Sequence, residues 1–211
     1  MPRPTTSVSR IEQKRRTRVA LVQAARGLLV TQGYATTTAE MIAKEAGVSR
    51  ATFYLHFRSK AEIVVELMRN VEPDIVADFQ RLGTIDPTPA AAESWLRGHA
   101  QLWRRYRMEF TSMEQALANE QAVADEWFSF YRRLADGIPG VIDRLVTGGL
   151  SRERAEARLV ALVMTIDRAF HFTVVRDRPD FFDAVVAEIA EALASALSGS
   201  PSIASRETNF R

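Results

Sequence analysis

The sequence predicts an all-α protein of about nine helices, with a helix-turn-helix near its N-terminus. Apolar residues recur three and four positions apart through most long segments, which is the spacing of one buried helical face. Glycine, proline and serine cluster between these segments, where helices are expected to end. No segment alternates apolar and polar residues as a half-buried strand would, and no internal repeat is visible.

Composition restricts the classes of protein and site. The chain has 211 residues, of which 46% are hydrophobic and 26% charged, as in soluble globular domains. It contains no cysteine, which excludes disulfides and thiolate metal sites. The histidines, His56, His99 and His171, are far apart without ligand spacing. We therefore expect no metal, no cofactor and no enzymatic activity.

The N-terminal residues do not have the pattern of a signal peptide. Residues 1–16 are polar and basic, and the longest apolar run, Leu159 to Ile166, is too short to span a bilayer. We expect a cytoplasmic protein with no membrane partner.

Charge is distributed unevenly. Residues 1–60 carry eleven Lys and Arg against three Glu, a net charge of +8, so the remainder carries −6. A basic module on an acidic body indicates that one end meets a polyanion. The alternative is a solvated basic arm without a target.

The chain begins with a predicted disordered arm, residues 1–9, rich in Pro, Ser and Thr. The basic residues that follow, including Arg16, could lie along phosphates and add salt-dependent affinity. They could also form a merely solubilising tail. The first helix is predicted over residues 11–32, and Gly33-Tyr34 ends it.

Two short helices and a tight turn are predicted from Thr37 to Lys60. Thr37 and Thr38 suit N-caps, and Thr37 has capping-box spacing with Glu40. Gly47 stands where the first short helix should stop. Ser49 is the next N-cap.

The second short helix is predicted from Arg50 to Phe57. Phe53 and Phe57 are four apart and should face the core. The positions left facing outward are Arg50, Ala51, Thr52, Tyr54 and His56. Such a short polar helix after a tight turn suits a DNA major groove.

The rest of the chain continues with helical spacing. A helix starting near Lys60 contains Pro73, which is expected to kink or divide it. The further helices are predicted at about 90–106, 109–118, 121–136 with a continuation at 141–146, 152–175 and 182–197.

The segment from Gly33 to Val64 resembles the DNA-binding signature of the TetR family of transcriptional regulators. The matching positions are Gly33-Tyr34, Ile42-Ala43, Ala46-Gly47-Val48-Ser49, Thr52-Phe53-Tyr54, His56-Phe57 and Ser59-Lys60. The resemblance implies a three-helix DNA-binding domain and a helical ligand-binding and dimerisation domain. The expected division is a 1–9 arm, a 10–60 DNA-binding domain, a 61–197 body and a 198–211 flexible tail.

DNA contacts follow from the motif and from this resemblance. Arg50 and Thr52 lie on the first turn of the second short helix, where base edges are reached. Tyr54 and His56 are expected on phosphates, although packing within the domain is the alternative. The full predicted DNA-binding set is Arg16, Thr37, Thr38, Ser49, Arg50, Ala51, Thr52, Tyr54, His56 and Lys60.

Aromatic residues are concentrated between Trp95 and Tyr131, which by periodicity alone favours an ordinary core. TetR-like bodies usually enclose a ligand pocket, and scattered positions are loosely similar to the mycobacterial ethionamide-resistance repressor type. By this resemblance the lining would be Trp95, His99, Trp103, Phe110, Trp127, Tyr131, Met164, Asp167 and Phe170. Asp167 would supply a polar anchor, or else form a structural ion pair with Arg168. An apolar lining implies an apolar or amphiphilic ligand.

The last two predicted helices, about 152–197, carry more apolar surface than one layer can bury. In the family such helices form a four-helix bundle with a second subunit, which implies a homodimer and a palindromic operator. The leading hypothesis is a repressor released from DNA by its ligand. An activator, a corepressor-dependent regulator, a ligand-independent DNA binder, and a helical carrier or enzyme remain open.

Overall fold

The structure is a computed structural model that describes residues 6–198, with side chains from residue 9. Within those residues it is all-α, with ten α-helices and one π-helical turn. The helices are α1 Thr6–Thr36, α2 Ala39–Glu45, α3 Arg50–His56, α4 Lys60–Leu82, α5 Pro89–Arg105, α6 Arg107–Leu117, α7 Gln121–Gly137, α8 Pro139–Thr147, α9 Arg152–Phe170 and α10 Pro179–Leu197; the π-helical turn is His171–Val175. Residues 1–5 of the predicted 1–9 arm and residues 199–211 of the predicted 198–211 tail lie outside the described residues, whereas residues 6–9 belong to α1.

The all-α prediction is confirmed, and the boundaries differ in three places. α1 begins at Thr6, earlier than predicted, and Gly33 interrupts it with φ 78° and ψ 172°. α4 continues through Pro73 as one helix. The segment after Ile138 forms a helix of its own, α8, because Pro139 occupies its first turn, where no N–H is needed.

The chain forms two compact units. Among the described residues, the first contains 6–70 and 108–124, and the second contains 71–107 and 125–198. The chain therefore passes from one unit to the other within α4, at the start of α6 and within α7. The predicted boundary at residue 60 did not include α6 in the N-terminal unit.

The first unit is built on α1, α2 and α3, with α6 packed against α1. Phe53 and Phe57 are fully buried, as predicted. Arg26 Nε in α1 donates to Glu109 Oε1 in α6 at 2.9 Å, and the Tyr34 amide donates to Gln115 Oε1 at 3.1 Å. These bonds attach α6 to the N-terminal helices.

The turn between α2 and α3 has the predicted glycine geometry. Gly47 has φ +68°, in the left-handed region that L-residues avoid, and the Val48 amide donates to Ala43 O at 2.9 Å. Ser49 Oγ then accepts from the Thr52 amide at 3.0 Å and caps α3. The α2 cap is Thr38, whose Oγ1 accepts from the Met41 amide.

The second unit has a core of aliphatic and aromatic side chains from α4, α5 and α7 to α10. α5 packs along α10, and α8 packs against α9. Along α9, Leu159, Val163, Ile166 and Phe170 are buried, whereas Met164 is 41% exposed. In the single chain, one face of α9 is therefore buried and part of the remaining apolar surface is exposed.

Replacing Gly47 with alanine should destabilise the first unit by about 1 kcal/mol, because an L-residue is strained at positive φ. No atom lies within 4 Å of the added Cβ, so conformation alone should produce the effect. Gly27→Ala is the matched control: Gly27 is helical, equally uncrowded and exposed. It should be neutral or stabilising by ~0.5–1 kcal/mol. Urea unfolding measures the free energy of unfolding of both variants. Equal changes in the two variants would refute backbone strain at position 47.

Candidate functional site

The exposed face of α3 is the candidate DNA-contacting surface. Arg50, Ala51, Tyr54 and Leu55 face outward, at i and i+4 positions that share one side of a helix. Leu55 is 78% exposed and Tyr54 46%. The opposite side is anchored by buried Phe53. The sequence analysis missed Leu55, since a leucine in a helix is ordinarily counted toward the core.

Arg50 is held by an exposed partner. Its Nη1 lies 2.6 Å from Glu40 Oε1, and its guanidinium carbon lies 5.6 Å from the Tyr54 ring centroid. Both side chains of the ion pair are more than half exposed. An ion pair this exposed contributes at most ~1 kcal/mol, so Arg50 can exchange Glu40 for another partner at little cost. The Thr37 amide donates to Gly33 O at 3.3 Å, so Glu40 is not the capping-box partner that its spacing predicted.

The side chains of His56 and Thr52 are half-buried, whereas the sequence predicted that both would face outward. Thr52 Oγ1 lies 2.9 Å from Ser49 Oγ, so the two hydroxyls bond each other at the start of α3. The Nδ1 atom of His56 is buried without a hydrogen-bond partner. Partial burial, with Lys14 and Arg18 nearby, lowers the pKa of His56, so the ring is neutral at neutral pH.

Two predicted DNA contacts have internal roles instead. The Thr37 side chain is completely buried and donates to Gly33 O at 2.7 Å. Lys60 Nζ donates to Tyr34 O at 2.6 Å and to Thr37 O at 2.9 Å, carbonyls at the end of α1 that lack helical partners. We correct both assignments: these side chains join α1 to the helices that follow. Thr38, Arg16 and Ala51 are exposed.

The predicted ligand-lining residues fall into separate groups. Eight of them lie in the second unit, whereas Phe110 lies in α6 of the first. Trp95, His99, Trp103 and Phe170 pack together: the Trp95 and His99 rings are stacked 5.0 Å apart, and Phe170 lies 5.7 Å from His99. This part of the predicted set is buried aromatic core.

A buried carboxylate, Asp78 in α4, organises that aromatic group. Asp78 Oδ2 lies 2.6 Å from His99 Nδ1, its backbone oxygen accepts from Trp95 Nε1 at 3.0 Å, and Arg81 bonds its other carboxylate oxygen. Trp103 Nε1 donates to His99 Nε2 at 3.1 Å. An indole nitrogen can only donate, so His99 Nε2 must accept and the proton must be on Nδ1.

His99 is therefore neutral in the folded chain. Burial, with Arg81 nearby, lowers its pKa to about 3. A buried charge is costly unless it is paired, and the Asp78 carboxylate has both a charged and a neutral donor. The sequence analysis missed Asp78, since nothing in its local spacing marks it as buried.

Trp127 and Tyr131 form a second group with Asp167. Trp127 Nε1 donates to Tyr131 OH at 2.8 Å, and the Phe130 ring stacks on Trp127 at 4.8 Å. Burial and the neighbouring Asp167, which bonds the hydroxyl, raise the pKa of Tyr131. Asp167 is thus engaged with Tyr131 as well as lying beside Arg168.

Met164 lies apart from both groups, on a surface depression of about 620 Å³ between α9 and α10. Arg168, Phe172, Phe181 and Val185 also border it. Phe172 is 53% exposed and Phe181 61%. This predicted ligand residue therefore belongs to an exposed apolar surface.

Across residues 6–198, no cluster of three or more His, Asp or Glu side chains could hold a metal ion. None of the described helices is long and apolar enough to cross a membrane.

Comparison with known proteins assigns the N-terminal segment. Residues 21–67 match the family described as bacterial regulatory proteins, tetR family. The HTH-type transcriptional regulator TcmR of Streptomyces glaucescens is 28% identical over 172 residues, which cover 81% of this chain and 68% of that protein. TtgR of Pseudomonas putida, also an HTH-type transcriptional regulator, is 40% identical over 57 residues, 27% of each chain. These relatives are described as regulators and not as enzymes.

The chain covers only 20–30% of the length of the first four curated relatives. Similarity of fold extends further. The structure of the TetR family transcriptional regulator PfmR from Thermus thermophilus matches with a TM-score of 0.53 and 20% sequence identity, and the match covers 86% of this chain and 95% of that one.

Acid should destabilise the second unit through His99. The pKa of His99 in the folded chain lies below its unfolded value of 6.5. As the pH drops below about 6.5, the unfolded chain therefore binds a proton that the folded chain does not, and the free energy of unfolding falls. From pH ~7.5 to ~5, the wild type should lose about 2 kcal/mol more than His99→Gln. Urea titrations at several pH values measure the difference. Parallel pH profiles would contradict a neutral His99.

Proposed function

We propose that this chain, whose residues 21–67 match the tetR family of bacterial regulatory proteins, is a cytoplasmic DNA-binding transcriptional regulator of that family. In this proposal it acts as a homodimeric repressor that an apolar or amphiphilic small molecule releases from a palindromic operator. It needs no metal or cofactor and catalyses no reaction.

The observation that carries the proposal is the exposed face of α3. Arg50, Ala51, Tyr54 and Leu55 project from a helix whose other side is fixed by Phe53. Arg50 suits the acceptors of a guanine edge, and Leu55 suits a thymine methyl group. Tyr54 and the half-buried His56 suit phosphate oxygens.

The proposed dimer uses α9 and α10, the helices within the predicted 152–197 segment. The exposed side chains of Met164 in α9, Phe172 in the π-helical turn and Phe181 in α10 form an apolar surface that a monomer would leave in water. A second copy of the same surface would cover it with two-fold symmetry. Two α3 helices would then face a two-fold symmetric operator.

The proposed ligand site lies in the second unit, at the aromatic groups of α5, α7 and α9. The indole N–H groups of Trp95 and Trp127 already donate hydrogen bonds to acceptors within the protein. A ligand there would meet ring faces, which favours an apolar or amphiphilic molecule. Asp167, beside Tyr131, remains the proposed polar anchor. Release from DNA requires that the ligand bind the conformation without DNA more tightly.

The direct test is binding of the purified protein to duplex DNA from upstream of its own gene, measured by fluorescence anisotropy over a salt series. Specific binding should weaken steeply with salt, and one of a panel of apolar compounds should release it. Arg50→Ala should lower specific affinity by roughly tenfold or more, as expected when a base contact is lost.

The matched control is Arg132→Ala, which removes the same charge from an exposed position on α7. It should change DNA affinity by no more than about twofold, since it lies off α3. Equal losses in the two variants would refute base contact by Arg50. Failure to find a specific sequence, even by selection from random duplexes, would refute the regulator itself.

A charge on the α9–α10 surface should dissociate the dimer. Phe172→Glu should shift the wild-type dimer to monomer in sedimentation velocity at micromolar concentration, because a carboxylate would lose its water in an apolar interface. Phe128→Glu is the control, since Phe128 on α7 is similarly exposed, at 51%. A dimer that survives the Phe172 change and is lost with the Phe128 change would place the interface elsewhere.

A further inference from the structure

Arg18, in the middle of α1, contacts two other helices of the first unit. Its Nε and Nη2 donate to the two carboxylate oxygens of Glu66 in α4, at 3.2 and 2.8 Å. Its Nη1 donates to the backbone oxygen of His56, the last residue of α3, at 2.8 Å. Carbonyls at a helix end have no partner within their own helix. Arg18 therefore supplies a bond that α3 cannot supply for itself.

The same guanidinium covers an aromatic ring that anchors α3. Its central carbon lies 4.1 Å from the centroid of the Phe57 ring, within the range of a cation–π contact. The side chains of Arg18 and Glu66 are 35% and 27% exposed, so water screens this pair less than it screens most surface pairs. The C-terminal end of α3 is thus held against α1 and α4 by one side chain.

Arginine suits this position and lysine does not. Three N–H groups in one plane bond three oxygens, two on Glu66 and one on His56, while the flat face lies on Phe57, and an ammonium group cannot reproduce that geometry. The hydrogen bond from Arg18 also lowers the pKa of Glu66, so the carboxylate stays ionised and balances the charge. The positive charge of Arg18 is therefore paired with Glu66 within the protein.

We infer that Arg18 is a positioning residue for DNA recognition: it fixes the direction of α3 and raises specific affinity without contacting phosphate. This inference rests on the DNA-binding function proposed above. The competing view is that Arg18 belongs to the row of basic residues that includes Arg16 and pairs with the DNA backbone. The two views differ in their predictions for salt dependence.

The test compares Arg18→Met with Arg16→Met in the full-length protein, on the operator selected with the wild type and on unrelated DNA. Arg16 is the matched control because its side chain is 77% exposed and it lies on the same helix. Arg18→Met should lower specific affinity by roughly tenfold or more while leaving non-specific affinity and the salt slope unchanged. Arg16→Met, if Arg16 pairs with phosphate, should lower the slope by about one and weaken both kinds of DNA alike.

Glu66→Gln makes the test independent of whether Arg18→Met folds. If Arg18 contacted phosphate, neutralising Glu66 would free the cation and strengthen DNA binding. If Arg18 positions α3, the same change should weaken specific binding several-fold with the salt slope unchanged. Glu45→Gln, an exposed change of the same charge on α2, is the control.

Circular dichroism melts establish that each variant is folded at the assay temperature. A folded Arg18→Met with wild-type specific affinity would overturn the inference, and so would a salt slope lowered by about one. Stronger binding by Glu66→Gln would do the same. If the wild type itself selects no DNA sequence, the proposed function fails and the inference fails with it, a result distinct from any of the variant results.

Discussion

A seven-residue helix cannot maintain its own conformation in water, and this constraint governs the first unit. Isolated helices shorter than about 12 residues are marginal, yet α3 must present its outer face in one direction. The buried rings of Phe53 and Phe57 hold it from beneath, Ser49 caps its start, and Arg18 bonds its end. Because the fold depends on these inner positions, the outer positions are available for the proposed DNA contacts.

Sequence reasoning succeeded where the controlling interactions are local. The glycine at Gly47, the Ser49 cap and the two buried phenylalanines lie within a few residues of the helix ends that they define, so spacing alone identified them. It failed where partners are distant in the chain. Arg18 and Glu66 are 48 residues apart, and no periodicity predicts that an arginine in a basic run bonds a helix end. Lys60 looked like a phosphate contact for the same reason: its carbonyl partners become visible only in three dimensions.

The second unit shows a related limit. The spacing of aromatic residues predicted burial correctly for Trp95 and Trp103. It could not predict that the polar atoms of these rings are satisfied through Asp78 and His99, which lie 21 residues apart. Periodicity also cannot separate a face buried within one chain from a face buried between two chains. Met164, on the exposed side of α9, was therefore counted among the pocket residues.

The attachment of α6 to α1 affects how such proteins can be recombined. A fragment cut at the end of the helix-turn-helix, or at residue 70, would leave Arg26 without Glu109 and the Tyr34 amide without Gln115. It would also uncover the side of α1 on which α6 packs. To exchange DNA specificity between related proteins, residues 108–124 must therefore be transferred together with the N-terminal helices. The portable recognition module is discontinuous in sequence, although it is a single compact body in space.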